Sequence, residues 1–473
     1  MRPFLAFLLM AAVGNFCAAY AQEVVTSGAD QQIAVQVTVY NSNVALVKER
    51  RKLDLPKGPG ELRFTEVAAH IKPTTVLVKS ATQPDRFHVL EQNYEYDLIS
   101  AARLLDKYVG KRIKIVDWNH YQDRKQTVDA ELLSNNEGPV YRINDEIYLG
   151  HPGYQVLPKL PENLIAKPTL MWVFENNGSP SHEIEASYLT ENISWRADYV
   201  LALDKDDRSA DLSGWVSVEN GSGASYKNAQ LKLVAGEVHR VEEYARRGKF
   251  KERSDSRAQA AASQFEEKPF FEYHLYDLQR PTTLKDKQTK QIRLLDVYGV
   301  NIHKEFLVYG IQSQYARLYR EETPRQPVSI YVTFKNSKDN KVGMPLPEGV
   351  MRLYKADDKG SLQFIGEDRV KHTPRDEDVR LKIGNAFDVV AQRTQKDFKQ
   401  LTTRSFESQW EIAVRNHKDQ DVTVGVIEPL FSQWEILEKS HPFKKIDAHT
   451  IRFDVQVPKN GETKITYRVR VGL

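Results

Sequence analysis

The chain has 473 residues, beyond the size at which one hydrophobic core keeps growing, so roughly two to four domains are expected. Hydrophobic residues at 41% and charged residues at 28% exclude a mostly disordered or fibrous protein. With 67 Lys and Arg against 64 Asp and Glu, the +3 balance exerts no net pull towards nucleic acid or an anionic membrane, and such a partner would need a local patch.

The first 21 residues read as a signal peptide. Arg2 gives a positive start, Phe4 to Val13 form an apolar run, and Ala19-Tyr20-Ala21 supplies the small-x-small pattern before Gln22. The run falls well short of the roughly 20 apolar residues that span a bilayer, so cleavage after Ala21 is expected, with no membrane span afterwards. Phe16 before Cys17 departs from the small residue of a lipoprotein signal. Cys17 is also the only cysteine, so the mature chain lacks disulfides, thiolate metal sites and cysteine nucleophiles. A large disulfide-free exported protein points to a bacterial envelope, periplasmic or extracellular. Asn177, Asn192 and Asn220 stand in glycosylation triplets, a pattern that arises often by chance.

Period-two alternation dominates the rest and predicts an all-β fold. Ile33, Val35, Val37 and Val39 share one strand face, as do Trp195, Ala197, Tyr199, Leu201 and Leu203, then Trp410, Ile412 and Val414, then Ile451, Phe453, Val455 and Val457. Turn signals such as Asp357-Asp358-Lys359-Gly360 and Lys459-Asn460-Gly461 separate the runs. Residues 22–95 form an expected N-terminal β domain. One short helix follows, capped by Asp97, with Leu98, Ala101, Ala102, Leu105, Tyr108 and Val109 at helical spacing and Gly110 as its stop. With the strand-like pieces after it, the helix makes a domain at 96–165 containing a small inserted β-barrel. Residues 166–473 read as antiparallel β-sandwich, one or two, interrupted by a charged mobile loop at 242–268 with Arg246, Arg247, Lys249 and Lys251 and few apolar anchors. An outer-membrane barrel is disfavoured by charge interspersed through most strands and a mean hydropathy of -0.55.

No motif carries recognisable chemistry, so no catalytic, cofactor-binding or metal residue is assigned. His182-Glu183 opens like a metalloprotease helix, but Ala186 stands where the second histidine belongs. Leu203 to Ser209 is acidic like a calcium loop, yet Arg208 takes a ligand position and Ser209 replaces the turn glycine, so a hairpin turn is expected. Asn220 to Ser225 fits neither a nucleophile elbow nor a phosphate loop and reads as a turn. Glu183 with Glu185, and Asp376, Glu377 and Asp378, are the paired carboxylates a glycosidase would require, but neither set has the apolar surroundings that raise a pKa for acid catalysis. Trp195, Trp410 and Trp434 fall on apolar strand faces and are expected in cores. Trp215 instead shares a face with Ser213, Ser217 and Glu219, which makes it a ligand-stacking platform or a residue covered by a neighbouring domain.

Ser187 to Tyr199, Asp211 to Val216, Tyr226 to Gly236, Met344 to Gly349, Phe364 to Asp368 and Gly384 to Asp388 resemble the bacterial family called domain of unknown function 4139, from about residue 166 to the C-terminus. Val37 to Tyr40 and Val44 to Val47 are similar to the N-terminal β-domain that accompanies it in mucoidy-inhibitor-like proteins, with the small barrel in place of their coiled coil. The resemblance implies a β-sandwich and an envelope setting, without a reaction or ligand to assign to any residue. The expected function is a non-enzymatic binding or scaffolding protein whose partner is an envelope protein or polysaccharide rather than nucleic acid; the alternative is a carbohydrate-active hydrolase with carboxylates assembled from distant strands.

Overall fold

The computed structural model describes residues 23–119, 124–161, 164–236, 264–319, 325–431 and 433–472. The expected signal peptide, and residues 242–263 of the expected loop, lie outside them. Strand dominates the described residues, and their single α-helix is Ala101–Tyr108. No helix among them is long and apolar enough to cross a membrane. The described residues divide into two compact units that do not follow chain order: those within 23–36, 46–191 and 222–227 form one, and those within 37–45, 192–221 and 228–472 the other.

In the first unit, a four-stranded sheet runs Glu23–Ser27, Gly58–Thr65, Thr169–Asn176, Phe87–Glu95. Leu62, Phe64, Leu170, Trp172 and Phe174 are fully buried on it. Buried Arg51 ties its edge by donating to the Ser27 carbonyl (2.8 Å), the Thr65 carbonyl (2.9 Å) and Glu49 (2.7 Å), while its guanidinium lies 3.5 Å from the Phe64 ring centroid. The burial of Glu49 pushes its carboxyl pKa up despite Arg51.

The inserted segment corrects two expectations. The helix cap is Ser100, whose Oγ accepts from the Arg103 amide at 3.2 Å; Asp97 pairs with Lys107 at 3.0 Å instead. Gly110, at φ +77°, does follow the helix, a conformation that favours glycine. The five strands after it form an open sheet, not a closed barrel, in the order Glu146–Leu149, Val140–Ile143, Arg124–Ser134, Arg112–Asn119, Tyr154–Val156. Its edge strands have only four and three residues, all exposed, too little ladder to join one edge to the other. One face packs a small core of Ile113, Ile115, Ala130, Leu132, Tyr141 and Ile143 together with Tyr108 of the helix.

The second unit holds a five-stranded sheet ordered Gln288–Asn301, Ser209–Asn220, Ile193–Leu203, Gly349–Ala356, Leu362–Val370. Trp195, Ala197, Tyr199, Leu201 and Leu203 lie on its buried face, as their alternation predicts. A nine-stranded sheet makes the C-terminal sandwich: the consecutive strands Thr450–Val457 and Gly461–Gly472 are not hydrogen-bonded neighbours but face each other across one core, with the Phe453 and Tyr467 rings 5.5 Å apart. Trp410 is fully buried there, whereas Trp434, expected in the core, is only half-buried at the sandwich end. Antiparallel pairing predominates among the described residues, and the parallel ladders there include Glu23–Ser27 with Gly58–Thr65, Ile193–Leu203 with Gly349–Ala356, and His303–Tyr309 with Val422–Pro429. Each joins strands separated by long intervening segments, as parallel connections require. Residues 265–268, expected as loop, belong to the strand Phe265–Phe270, which pairs with Tyr273–Leu278; Phe265 is buried, and Glu266, Glu267 and Lys268 had obscured its alternation.

Candidate functional site

Trp215 lies in Ser209–Asn220, on the face of the five-stranded sheet opposite its buried residues. Cross-strand pairing sets Arg293 on one side of it and Asp198 on the other. The Arg293 guanidinium lies 5.1 Å from the Trp215 ring centroid and is fixed by Asp296 at 2.9 Å. Asp296 also accepts from Ser213 (2.6 Å) and Tyr298 (3.1 Å); the Ser213 hydroxyl first, then Tyr298 and Arg293, hold its carboxyl below the usual range. On the other side Asp198 accepts from Ser217 at 2.9 Å and pairs with Arg352 at 3.2 Å, and Arg352 reaches Glu367 at 3.2 Å. The half-buried indole is therefore the apolar centre of a belt of paired charges. A ring stacking on that side of Trp215 must displace a guanidinium already held by a carboxylate.

Two more exposed aromatics form a different surface. In the inserted sheet, Ile113 and Ile115 point into the core, so Lys114, Val116 and Trp118 occupy the outward face. Tyr154 stands directly opposite Val116 and Val156 opposite Lys114. Trp118 is 48% exposed and Tyr154 78%, with no cation or ring stacked on either among the described residues. The same alternation that singles out Trp215 could have found Trp118, which is out of phase with Ile113 and Ile115. Tyr154, in a three-residue strand, offers no such periodicity.

Ser80, His182 and Asn176 form a chain with the appearance of a catalytic triad: Ser80 Oγ lies 2.9 Å from His182 Nδ1, and His182 Nε2 lies 3.1 Å from Asn176 Oδ1. The Asn176 amide nitrogen donates to the carbonyls of Pro56 (3.2 Å) and Ser179 (3.3 Å), so its oxygen is the acceptor and His182 carries its proton on Nε2. Nδ1 then accepts from Ser80. All three side chains are 0–1% exposed, leaving a substrate no approach to the hydroxyl, and burial lowers the imidazole pKa. The trio pins two chain segments 102 residues apart.

Glu183 and Glu185 do share a face, but both engage Arg50, at 3.6 and 2.9 Å, and Glu185 also Lys79 at 3.3 Å. Burial alone would raise the Glu185 pKa; Arg50 and Lys79 outweigh it and hold the carboxyl below its usual range, the reverse of what a general acid requires. Asp376, at φ 65°, donates its amide to the Asn336 carbonyl in a turn. The 203–209 segment is a hairpin turn in which Asp204 accepts from the Arg208 amide and the Ser209 hydroxyl, and Asp207 pairs with Lys304 and Lys355. A cleft of about 600 Å³ is lined by Ser134, Glu137, Pro139 and Leu149, and one of about 470 Å³ by Arg404, Trp434, Glu435 and Arg470. Among the described residues each has a single carboxylate in its lining.

The family model described as Domain of unknown function (DUF4139) matches residues 184–473. The chain belongs to this family. No curated protein matches it. The DUF4139 region contains the Trp215 belt, the five-stranded sheet and the C-terminal sandwich, while Trp118 and Tyr154 lie outside it in the inserted sheet.

Proposed function

We propose that this DUF4139 protein is exported, to the periplasm or cell surface, and there binds or scaffolds another envelope component without catalysing a reaction on it. The observation that carries this reading is the distribution of exposed large apolar side chains: among the described residues, ten of 26 lie between residues 96 and 160, a small part of the chain. Monomeric soluble proteins seldom gather such residues on one module unless it meets a partner. The leader-like residues 1–21 support export. The hydrolase alternative has less in its favour, because Glu183 and Glu185 are paired with Arg50 and Lys79 rather than opposed across a cleft.

Expression of the full chain in a bacterial host, followed by fractionation and N-terminal sequencing, tests the first half. A mature N-terminus at Gln22 in the periplasmic or extracellular fraction is expected, and an uncleaved chain in the inner membrane would overturn it. Trp215 is proposed as an additional stacking contact, reached when Arg293 swings aside; Arg293→Ala should then strengthen retention by the ligand, and Trp215→Ala should weaken it.

A further inference from the structure

We infer that the outward face of the inserted five-stranded sheet binds an acidic polysaccharide, stacking sugar rings on Trp118 and Tyr154 and pairing their anionic groups with Lys114 and Lys125. The inference rests on the export proposed above, which places the ligand among envelope polymers.

Cross-strand register builds this face row by row. Trp118 pairs with Lys125, Val116 with Thr127 and on its other side Tyr154, and Lys114 with Asp129 and on its other side Val156. Arg112 pairs with Glu131, which in turn pairs with Arg142. The face thus presents four cations, Arg112, Lys114, Lys125 and Arg142, against the carboxylates Asp129 and Glu131. Arg142 is engaged by Glu131 at 3.0 Å, whereas Lys114 and Lys125 have no ion pair among the described residues and are exposed. Charge therefore favours an anionic occupant.

The arrangement of the rings favours a particular kind of anion. Trp118 and Tyr154 are diagonal neighbours on adjacent strands, a spacing of about 7–8 Å between Cα atoms, with Trp118 directly opposite Lys125 and Tyr154 one row from Lys114. A protein partner covering this face with apolar side chains would desolvate Lys114 and Lys125 without compensation. A flexible polymer that alternates an apolar ring face with a carboxylate or sulfate meets both kinds of group at once. The edge strand Tyr154–Val156 has one neighbour only, so the polymer can run off the sheet on that side.

The test uses the mature full-length chain with polygalacturonate as probe, dextran as a neutral control and single-stranded oligodeoxythymidine as the competing polyanion, in affinity electrophoresis and calorimetry at low and high salt. Polygalacturonate should bind at least tenfold more tightly than dextran and than the oligonucleotide, and should weaken as salt rises. Trp118→Ala and Tyr154→Ala should each weaken binding about tenfold, and Lys114→Glu with Lys125→Glu should abolish the preference over dextran. Lysine substitutions on an exposed face leave the core untouched, so they remain informative if an aromatic variant folds poorly. Equal affinity for dextran, tighter binding of the oligonucleotide, indifference to the lysine variants, or no binding at all would overturn the site. Such a failure with the leader still removed and the chain still exported would leave the proposed function standing; a chain retained in the cytoplasm would overturn that function even if polygalacturonate binds.

Discussion

Replacing Arg393 by Met would leave the Glu428 carboxylate fully buried in the C-terminal sandwich without its countercharge. The wild-type guanidinium donates to Glu428 at 2.6 Å and to the Tyr467 hydroxyl at 3.0 Å, and lies 4.1 Å from the Trp410 ring centroid, with Arg393 1% and Glu428 0% exposed. Burial works against the charge on Arg393, but Glu428 outweighs it and keeps the guanidinium ionised. At an effective dielectric of about 20, opposite charges ~4 Å apart attract by roughly 4 kcal/mol, and removing one partner of such a buried pair destabilises by about 3–5 kcal/mol. Glu428→Leu should behave alike. The double variant Arg393→Met/Glu428→Leu should cost less than either single one, because no orphaned charge remains and the Tyr315 and Tyr467 hydroxyls, 2.8 Å apart, still bond each other. Urea titration followed by tryptophan emission reads these differences, Trp410 being against the altered group. Additive single-variant losses, or a loss below about 1 kcal/mol for Arg393→Met, would refute the view that the pair is held by mutual charge.

Gly310→Ala should be as severe as the Arg393 change, since its Cβ would come 2.0 Å from Glu428 Oε2 and 2.4 Å from Arg393 Nη1; failure to accumulate soluble chain, or a large drop in melting temperature, is expected. Ser100→Ala should destabilise the inserted helix by about 1 kcal/mol through the lost cap, visible as faster hydrogen exchange from 101 to 105, while Asp97→Ala should change exchange there far less. His182 gives a pH dependence with a definite sign. Burial lowers its folded pKa below the ordinary 6.5, so the unfolded chain takes up the proton first, and stability falls as pH drops below about 6.5 until the folded value is passed. His182→Gln should remove that component of the slope in urea midpoints measured between pH 7.5 and 5, and an unchanged slope would count against a buried neutral imidazole.

The all-β architecture was legible because alternation is a local property: Trp195 to Leu203 and Ile451 to Val457 place the predicted residues on buried faces. The open inserted sheet was not, since closure depends on whether Glu146–Leu149 and Tyr154–Val156 meet, and nothing within either strand reports that. The helix start was misplaced by three residues because Asp97 and Ser100 are both competent caps, and the ion pair with Lys107 occupies the former. Trp215 was correctly placed on a polar face, but the cover over its ring comes from Arg293, 78 residues further along the chain and brought near only by strand pairing. The Ser80, His182 and Asn176 trio was invisible for the same reason.

Whether the protein holds an envelope polymer or cuts it is decided most directly by incubating the mature chain with polysaccharide from a bacterial envelope and following both retention and chain length of the polymer. Reversible retention, lost in the Trp118→Ala/Tyr154→Ala variant, with no new reducing ends after prolonged incubation, is the predicted result. Release of shortened polymer by the wild-type chain, or no retention of any envelope polysaccharide, would contradict it.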